Sequence, residues 1–194
     1  YLSEAIHTRQ FWLISTILLL LGYGVFSIVV HLVPYMTALE FSIGEAAAVL
    51  STMWISSMVG RLVLGKAADR YGNRGLYIVG FIIMAVSLSL LLGKEIWLLY
   101  LGASLFGFGY GGCGAIESPL VASIFGLRSH GSIYGVLTLC FTIGASLGPF
   151  LTGYLFDITG DYQAALIVLI IIIISAVLCA RFLKIPKSTL EVKS

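Results

Sequence analysis

The sequence predicts an all-α membrane protein: six transmembrane helices arranged as two inverted three-helix repeats. Three observations predict it. Of 194 residues, 59% are apolar and 10% charged, with a mean hydropathy of +1.05, which excludes an ordinary soluble domain. The apolar residues collect in runs of about 18–25, long enough to cross ~30 Å of hydrocarbon as helices, and they lack the alternation of a membrane β-barrel strand. Gly60, Gly65, Asp69 and Gly72 return as Gly148, Gly153, Asp157 and Gly160, each 88 residues on.

The first span is expected over 11–33, ending near Pro34, and a short loop with Glu40 and Gly44 follows. The second covers 45–64. The charged stretch from Lys66 to Arg74 divides it from the third, 75–93. Lys94-Glu95 turns the chain into the fourth span, 96–125. The break at Arg128 to Gly131 precedes the fifth, 132–156, and the polar turn Asp157 to Asp161 precedes the sixth, 164–183. Cys113, Cys140 and Cys179 all fall in apolar segments without metal-ligand spacing and read as small core residues.

Because spans alternate sides, Arg9, Lys66, Arg70, Arg74, Arg128, Arg181, Lys184, Lys187 and Lys193 share one face, and Lys94 alone marks the other. The positive-inside rule makes the crowded face, and with it both termini, cytoplasmic. Three spans per repeat is odd, so the second unit enters the membrane from the opposite side. Gly22-Tyr23-Gly24 in the first span is echoed by Gly109-Tyr110-Gly111 in the fourth. Inverted three-helix repeats are a sequence sign of secondary transporters.

The third and sixth spans are apolar all round and suit an outer, supporting layer. The polar residues lie on the other four. Tyr23, Ser27 and His31 share one face of the first span, and Trp54, Ser57, Met58 and Arg61 one face of the second. Tyr110, Cys113, Gly114 and Glu117 share a face of the fourth, and Thr138, Thr142 and Ser146 one of the fifth. Hydroxyls in such positions serve a wet pathway or helix-to-helix packing equally well. Gly107, Gly109 and Gly112 match Gly-x-Gly-x-x-Gly, but no strand precedes them, so close helix packing or bending is expected rather than nucleotide binding. Gly148-Pro149 is expected to bend or pack the fifth span.

Arg61 is the basic side chain lodged inside an apolar run. An arginine at membrane depth is costly and normally faces protein interior or water. Its planar fork fits a carboxylate with two hydrogen bonds; snorkelling to the interface is the competing account. Glu117 is the carboxylate set deep in a span, a candidate proton site or counter-ion of Arg61. His31, near the outer end of the first span, is a second proton or gating candidate, with a satisfied interfacial histidine as the alternative. Gly65, Asp69, Arg70, Gly72 and Arg74 form a candidate cytoplasmic gate motif, whose charges can also simply anchor the helix end.

The run from Gly65 to Arg74 resembles the signature loop of the major facilitator superfamily in spacing and charge. More narrowly, Arg9-Gln10-Phe11-Trp12, His31-Leu32-Val33-Pro34-Tyr35, Phe125-Gly126 and Gly131-Ser132-Ile133-Tyr134-Gly135-Val136 resemble the monocarboxylate transporters and bacterial oxalate/formate antiporters. The resemblance covers the whole chain and implies the C-terminal half of such a transporter, with Arg61, eight positions before Asp69, as the carboxylate ligand. Two departures bear on the substrate. The oxalate carrier type places a lysine in the fifth of these helices, and Phe141 stands about where it would fall, which favours a singly charged substrate. Animal monocarboxylate carriers place an aspartate one turn before the arginine, where this chain has Ser57, so proton coupling would need another group, with Glu117 as candidate.

The expected function is therefore secondary transport of a small organic anion, a monocarboxylate, by alternating access across a plasma or inner membrane. Arg61 would hold the carboxylate, and Tyr23, Trp54, Ser57, Tyr110, Thr138 and Thr142 would line the site. The expected partners are the substrate, the lipid bilayer, and a missing N-terminal six-helix half or a second copy. No nucleic acid and no cofactor beyond a coupling proton is expected. An uncharged or drug-like substrate, or a transport-inactive six-helix module, is the alternative. No nucleophile–base pair or metal cluster suggests an enzyme.

Overall fold

The computed structural model describes residues 2–184; Lys187 and Lys193, expected on the basic face, lie outside them. A short helix, α1 (Leu2–Ala5), precedes six long ones: α2 (Arg9–Ala38), α3 (Ile43–Tyr71), α4 (Asn73–Leu91), α5 (Ile96–Phe125), α6 (His130–Thr159) and α7 (Tyr162–Arg181). All six are long and apolar enough to span a bilayer.

Local chemistry sets the helix ends. The Thr8 hydroxyl accepts from the Phe11 amide at 3.2 Å to start α2. Ser42 and Glu45 form a reciprocal capping box at α3, with bonds of 2.9 and 3.2 Å. Asp161 accepts from the Gln163 amide at 3.1 Å to start α7. The 88-residue repeat has a physical basis at its last glycine: Gly72 closes α3 at φ 96° and Gly160 closes α6 at φ 68°, a backbone region that disfavours side chains. Pro34 does not end α2, which runs one more turn to Ala38. Pro34, Pro119 and Pro149 all sit inside helices, each depriving the carbonyl four residues earlier of its helical donor.

Packing follows the repeat. The first unit is α2–α4 and the second α5–α7. Helix α3 packs along α5, and α6 packs along α2 as its counterpart; α4 and α7 close the bundle against α5, α2 and each other. They form the outer layer that their apolar composition predicts, exposing Val79, Ile82 and Val86 on one and Ile167, Ile171 and Leu178 on the other.

Glycine brings both long seams into backbone contact. A methyl group on Gly107 would overlap the Met53 carbonyl oxygen, and one on Gly60 that of Phe108. In the other seam, Gly22 faces the Phe141 carbonyl and Gly148 that of Tyr23. These are the same two contacts repeated: from α2 to α5 the offset is 85 (Gly22 to Gly107, Tyr23 to Phe108), and from α3 to α6 it is 88 (Met53 to Phe141, Gly60 to Gly148). The sequence pairing of Tyr23 with Tyr110, at 87, is therefore displaced by two residues. Backbone contact sets the register, and the tyrosines do not.

Candidate functional site

Arg61, Tyr110, Gly114, Glu117, Tyr134, Thr138 and Phe141 line a cleft of about 280 Å³ between α3, α5 and α6. Arg61 passes beside Gly114: a terminal guanidinium nitrogen lies 3.8 Å from where a Gly114 Cβ would stand, an ordinary contact distance. Glu117 follows three residues later on the same face of α5. The Tyr134 hydroxyl, from α6, faces the Glu117 carboxyl across the same cleft, near enough to interact with it. Among the described residues no ion pair joins Glu117 to Arg61. Thus one cation and one carboxyl group share a cleft, the carboxyl faced by a tyrosine hydroxyl and the guanidinium open.

The other sequence candidates divide. Tyr110 lies within the electrostatic reach of both Arg61 and Glu117. Trp54, 39% exposed, meets the Tyr110 ring edge-on, with centroids 6.2 Å apart. Thr138 lines the cleft, and its hydroxyl donates to the Tyr134 carbonyl at 2.8 Å. Thr142 is exposed one turn further along and donates to the Thr138 carbonyl at 3.0 Å.

Ser57 and Tyr23, expected beside the substrate, are placed elsewhere. Ser57 is buried against Gly111, and its hydroxyl donates to the Trp54 carbonyl of its own helix at 2.9 Å. Tyr23 is buried in the α2–α6 seam, beside Thr152. Cys113 turns from the cleft toward α4, where its thiol meets the Tyr77 carbonyl at 3.7 Å. In each case helical spacing identified a face but not the neighbour that covers it.

His31 is a satisfied histidine at the far end of the α2–α6 seam. Its Nε2 lies 2.9 Å from the Pro149 carbonyl oxygen and its Nδ1 3.4 Å from the Tyr162 hydroxyl. With Ser27, Tyr35 and Thr152 it borders an enclosed space of about 20 Å³, room for about one water.

The gate motif also divides. Asp69 and Arg70 border a wide groove with Leu62, Val63, Lys66 and Tyr71 on the open side of α3, and the Arg70 guanidinium lies 5.5 Å from the Tyr71 ring centroid. Gly65 lies against Ala115, and Gly72 ends the helix. Arg74 points the other way. Its guanidinium donates to the Arg181 carbonyl at the end of α7, satisfying an end-of-helix acceptor and tying α4 to α7 at the exposed end of the bundle.

Sequence reasoning named Arg61, Tyr110, Glu117 and Thr138, and noted Phe141 only as the site of an absent lysine. It missed Tyr134. The available signal was the spacing of Tyr134, Thr138 and Phe141, at i, i+4 and i+7, on one face of α6.

Residues 12–194 match the Major Facilitator Superfamily. The chain belongs to that family. It is 31% identical over 147 residues to human Monocarboxylate transporter 7, covering 73% of this chain and 28% of that protein. It is 27% identical over 184 residues to Monocarboxylate transporter 12 of Rattus norvegicus, covering 92% and 38%. Among solved structures, an auto-inhibited POT family peptide transporter superposes with a TM-score of 0.80 at 18% identity, over 90% of this chain and 37% of that one; that likeness concerns the fold. The chain thus spans about a third of the length of these curated relatives, and its six spans correspond to half of a major facilitator bundle. It is an integral membrane protein of a transporter family.

Proposed function

We propose that this chain is the arginine-bearing half of a secondary transporter for small monocarboxylates, working by alternating access. The observation that carries the reading is the cleft itself: among the described residues, a guanidinium without an ion-pair partner, beside a carboxyl group that a tyrosine hydroxyl faces. Arg61 is exposed on the open side of this half; a cation at membrane depth without a counter-ion is costly, and a substrate carboxylate supplies the missing charge with two parallel hydrogen bonds. Similarity to Monocarboxylate transporters 7 and 12 supports the same substrate class. Phe141 adds an apolar wall and no second cation, which suits one carboxylate better than two.

The Asp69–Arg70 groove and the exposed faces of α3 and α6, including Met58, Leu62, Phe150 and Tyr154, would meet a second six-helix half across the pathway. The basic end of the bundle would face the cytoplasm. With Arg61 and ionised Glu117 balanced, a bound monoanion leaves the cleft one charge negative. A proton on Glu117 restores neutrality, and this would couple substrate to proton. Ser57, set into the helix contact, takes no part.

The test is Arg61→Ala in the full-length protein, with surface abundance measured alongside. Uptake of pyruvate or lactate is expected to fall ~100-fold or more, in line with losing a desolvated charge partner. Undiminished uptake at equal abundance would mean that Arg61 is structural and the substrate uncharged or drug-like.

A further inference from the structure

We infer that Tyr134 is the positioning residue of this cleft: it holds the Glu117 carboxyl group to one side, so that Arg61 stays open to the substrate. The inference rests on the monocarboxylate reading above and adds to it a residue on another helix.

Arg61 and Glu117 line one small cleft, on α3 and α5, and opposite charges so placed attract strongly where water is scarce. Left alone, they would close on one another, and every incoming carboxylate would have to displace Glu117. The structure shows a different arrangement: among the described residues no ion pair joins the two, and the Tyr134 hydroxyl faces the Glu117 carboxyl in the same cleft. A phenol suits this task in both protonation states, because it donates to a carboxylate and accepts from a carboxylic acid. Tyr134 can therefore keep Glu117 in place while a proton arrives or leaves.

The tyrosine is itself held. Its ring stacks on His130, with centroids 5.5 Å apart and planes 15° from parallel. His130 in turn places Nε2 3.1 Å from the Ser118 hydroxyl. Ser118 adjoins Glu117, so the four side chains form a closed bracket between α5 and α6: Glu117 to Tyr134, Tyr134 to His130, His130 to Ser118. Outside this bracket α5 and α6 touch little, so these contacts set the orientation of Tyr134. Further polar groups near Glu117 are Tyr110 on its own helix, Thr138 on α6, and Tyr77 and Cys113 toward α4; among the described residues Arg61 is the cation lining the cleft.

The consequence is a dependence between two substitutions. Tyr134→Phe keeps the ring and its stacking and removes only the hydroxyl. Glu117 then turns to Arg61 and competes with substrate, and apparent affinity falls about tenfold. In a Glu117→Gln background no charge competes, so the same Tyr134→Phe change alters affinity less than about twofold.

The experiment reads the affinity of the purified full-length protein for acetate, pyruvate and lactate as ligand-dependent thermal stabilisation, a measurement that does not require turnover. Four proteins are compared: parent, Tyr134→Phe, Glu117→Gln and the double variant, with Arg61→Ala as control. A tenfold loss confined to the Glu117 background supports the inference. Unchanged affinity in Tyr134→Phe overturns it, and so does an equal loss in both backgrounds, which would mark a merely structural tyrosine. Stabilisation that is absent from the parent, or that survives Arg61→Ala, overturns the carboxylate reading itself. That outcome is distinct from failure of the bracket.

Discussion

The α3–α5 and α2–α6 seams are built alike and finished differently. Both bring glycine onto a facing carbonyl, at Gly60 and Gly107 in one and at Gly148 and Gly22 in the other. In the α2–α6 seam, Ser27 and Thr152 are joined by a 3.0 Å hydrogen bond, and His31 reaches the Pro149 carbonyl. At the positions equivalent to Ser27 and Thr152, the α3–α5 seam has Gly112 packed on Leu64. Where one seam has Pro149 and His31, the other has Arg61 and Ile116. One seam spends its polar groups inward, fastening two helices; the other has an apolar joint and turns its polar groups to the cleft. Duplicated scaffold and differing side chains thus separate support from chemistry.

The largest expected effect would break the equivalence of the scaffolds. Valine at Gly107 or Gly60, and equally at Gly22 or Gly148, meets backbone rather than a movable side chain. Each is expected to cost ~3 kcal/mol or more and to abolish monodisperse protein on size-exclusion chromatography. Tolerance in one seam alone would show that the two are not structural counterparts.

Next comes the chemistry peculiar to the α3–α5 side. Glu117→Gln is expected to flatten the pH dependence of monocarboxylate uptake and to lower proton-driven accumulation about tenfold. Retained proton-driven accumulation would assign coupling to another group.

Smaller effects belong to the fastened seam. Thr152→Val removes the bond to Ser27 and should cost ~1 kcal/mol, seen as a lower melting temperature with pyruvate affinity unaltered. A change in affinity there would mean that the seam reaches the site. Ser57→Ala should be smallest, within ~0.5 kcal/mol and with uptake kinetics of the parent, because that hydroxyl serves only its own helix.

The sequence carried the scaffold because the scaffold is periodic. Apolar runs, the basic side and the glycine–aspartate repeat are one-dimensional signals, and they led to six helices in two units. Arg61, Tyr110 and Glu117 were legible for a related reason: charged and aromatic groups inside apolar runs stand out, and their spacing puts each on one face. The sequence could not say which helix each face would meet. Ser57 and Tyr23 share faces with Arg61 and His31, yet both lie in helix contacts. Tyr134 shows the converse. In sequence it is one member of a family-like stretch and no site candidate, and it becomes informative only when α6 brings its hydroxyl toward Glu117, 17 positions earlier in the chain. Arg74 looked like the rest of its motif until the end of α7 was found beneath it.

The two offsets, 85 and 88, have a consequence for anyone who would recombine this protein. Between its paired glycines the second unit is three residues longer, 41 positions from Gly107 to Gly148 against 38 from Gly22 to Gly60. The loops are not the source, since 39–42 and 126–129 are equal in length, so the surplus lies in the helices. Three residues turn a helix by about 300°. A chimera that exchanges the two halves at one fixed offset would rotate its glycines out of a seam and present side chains to the facing carbonyls. Such an exchange has to be cut within the helices, at a different register for each.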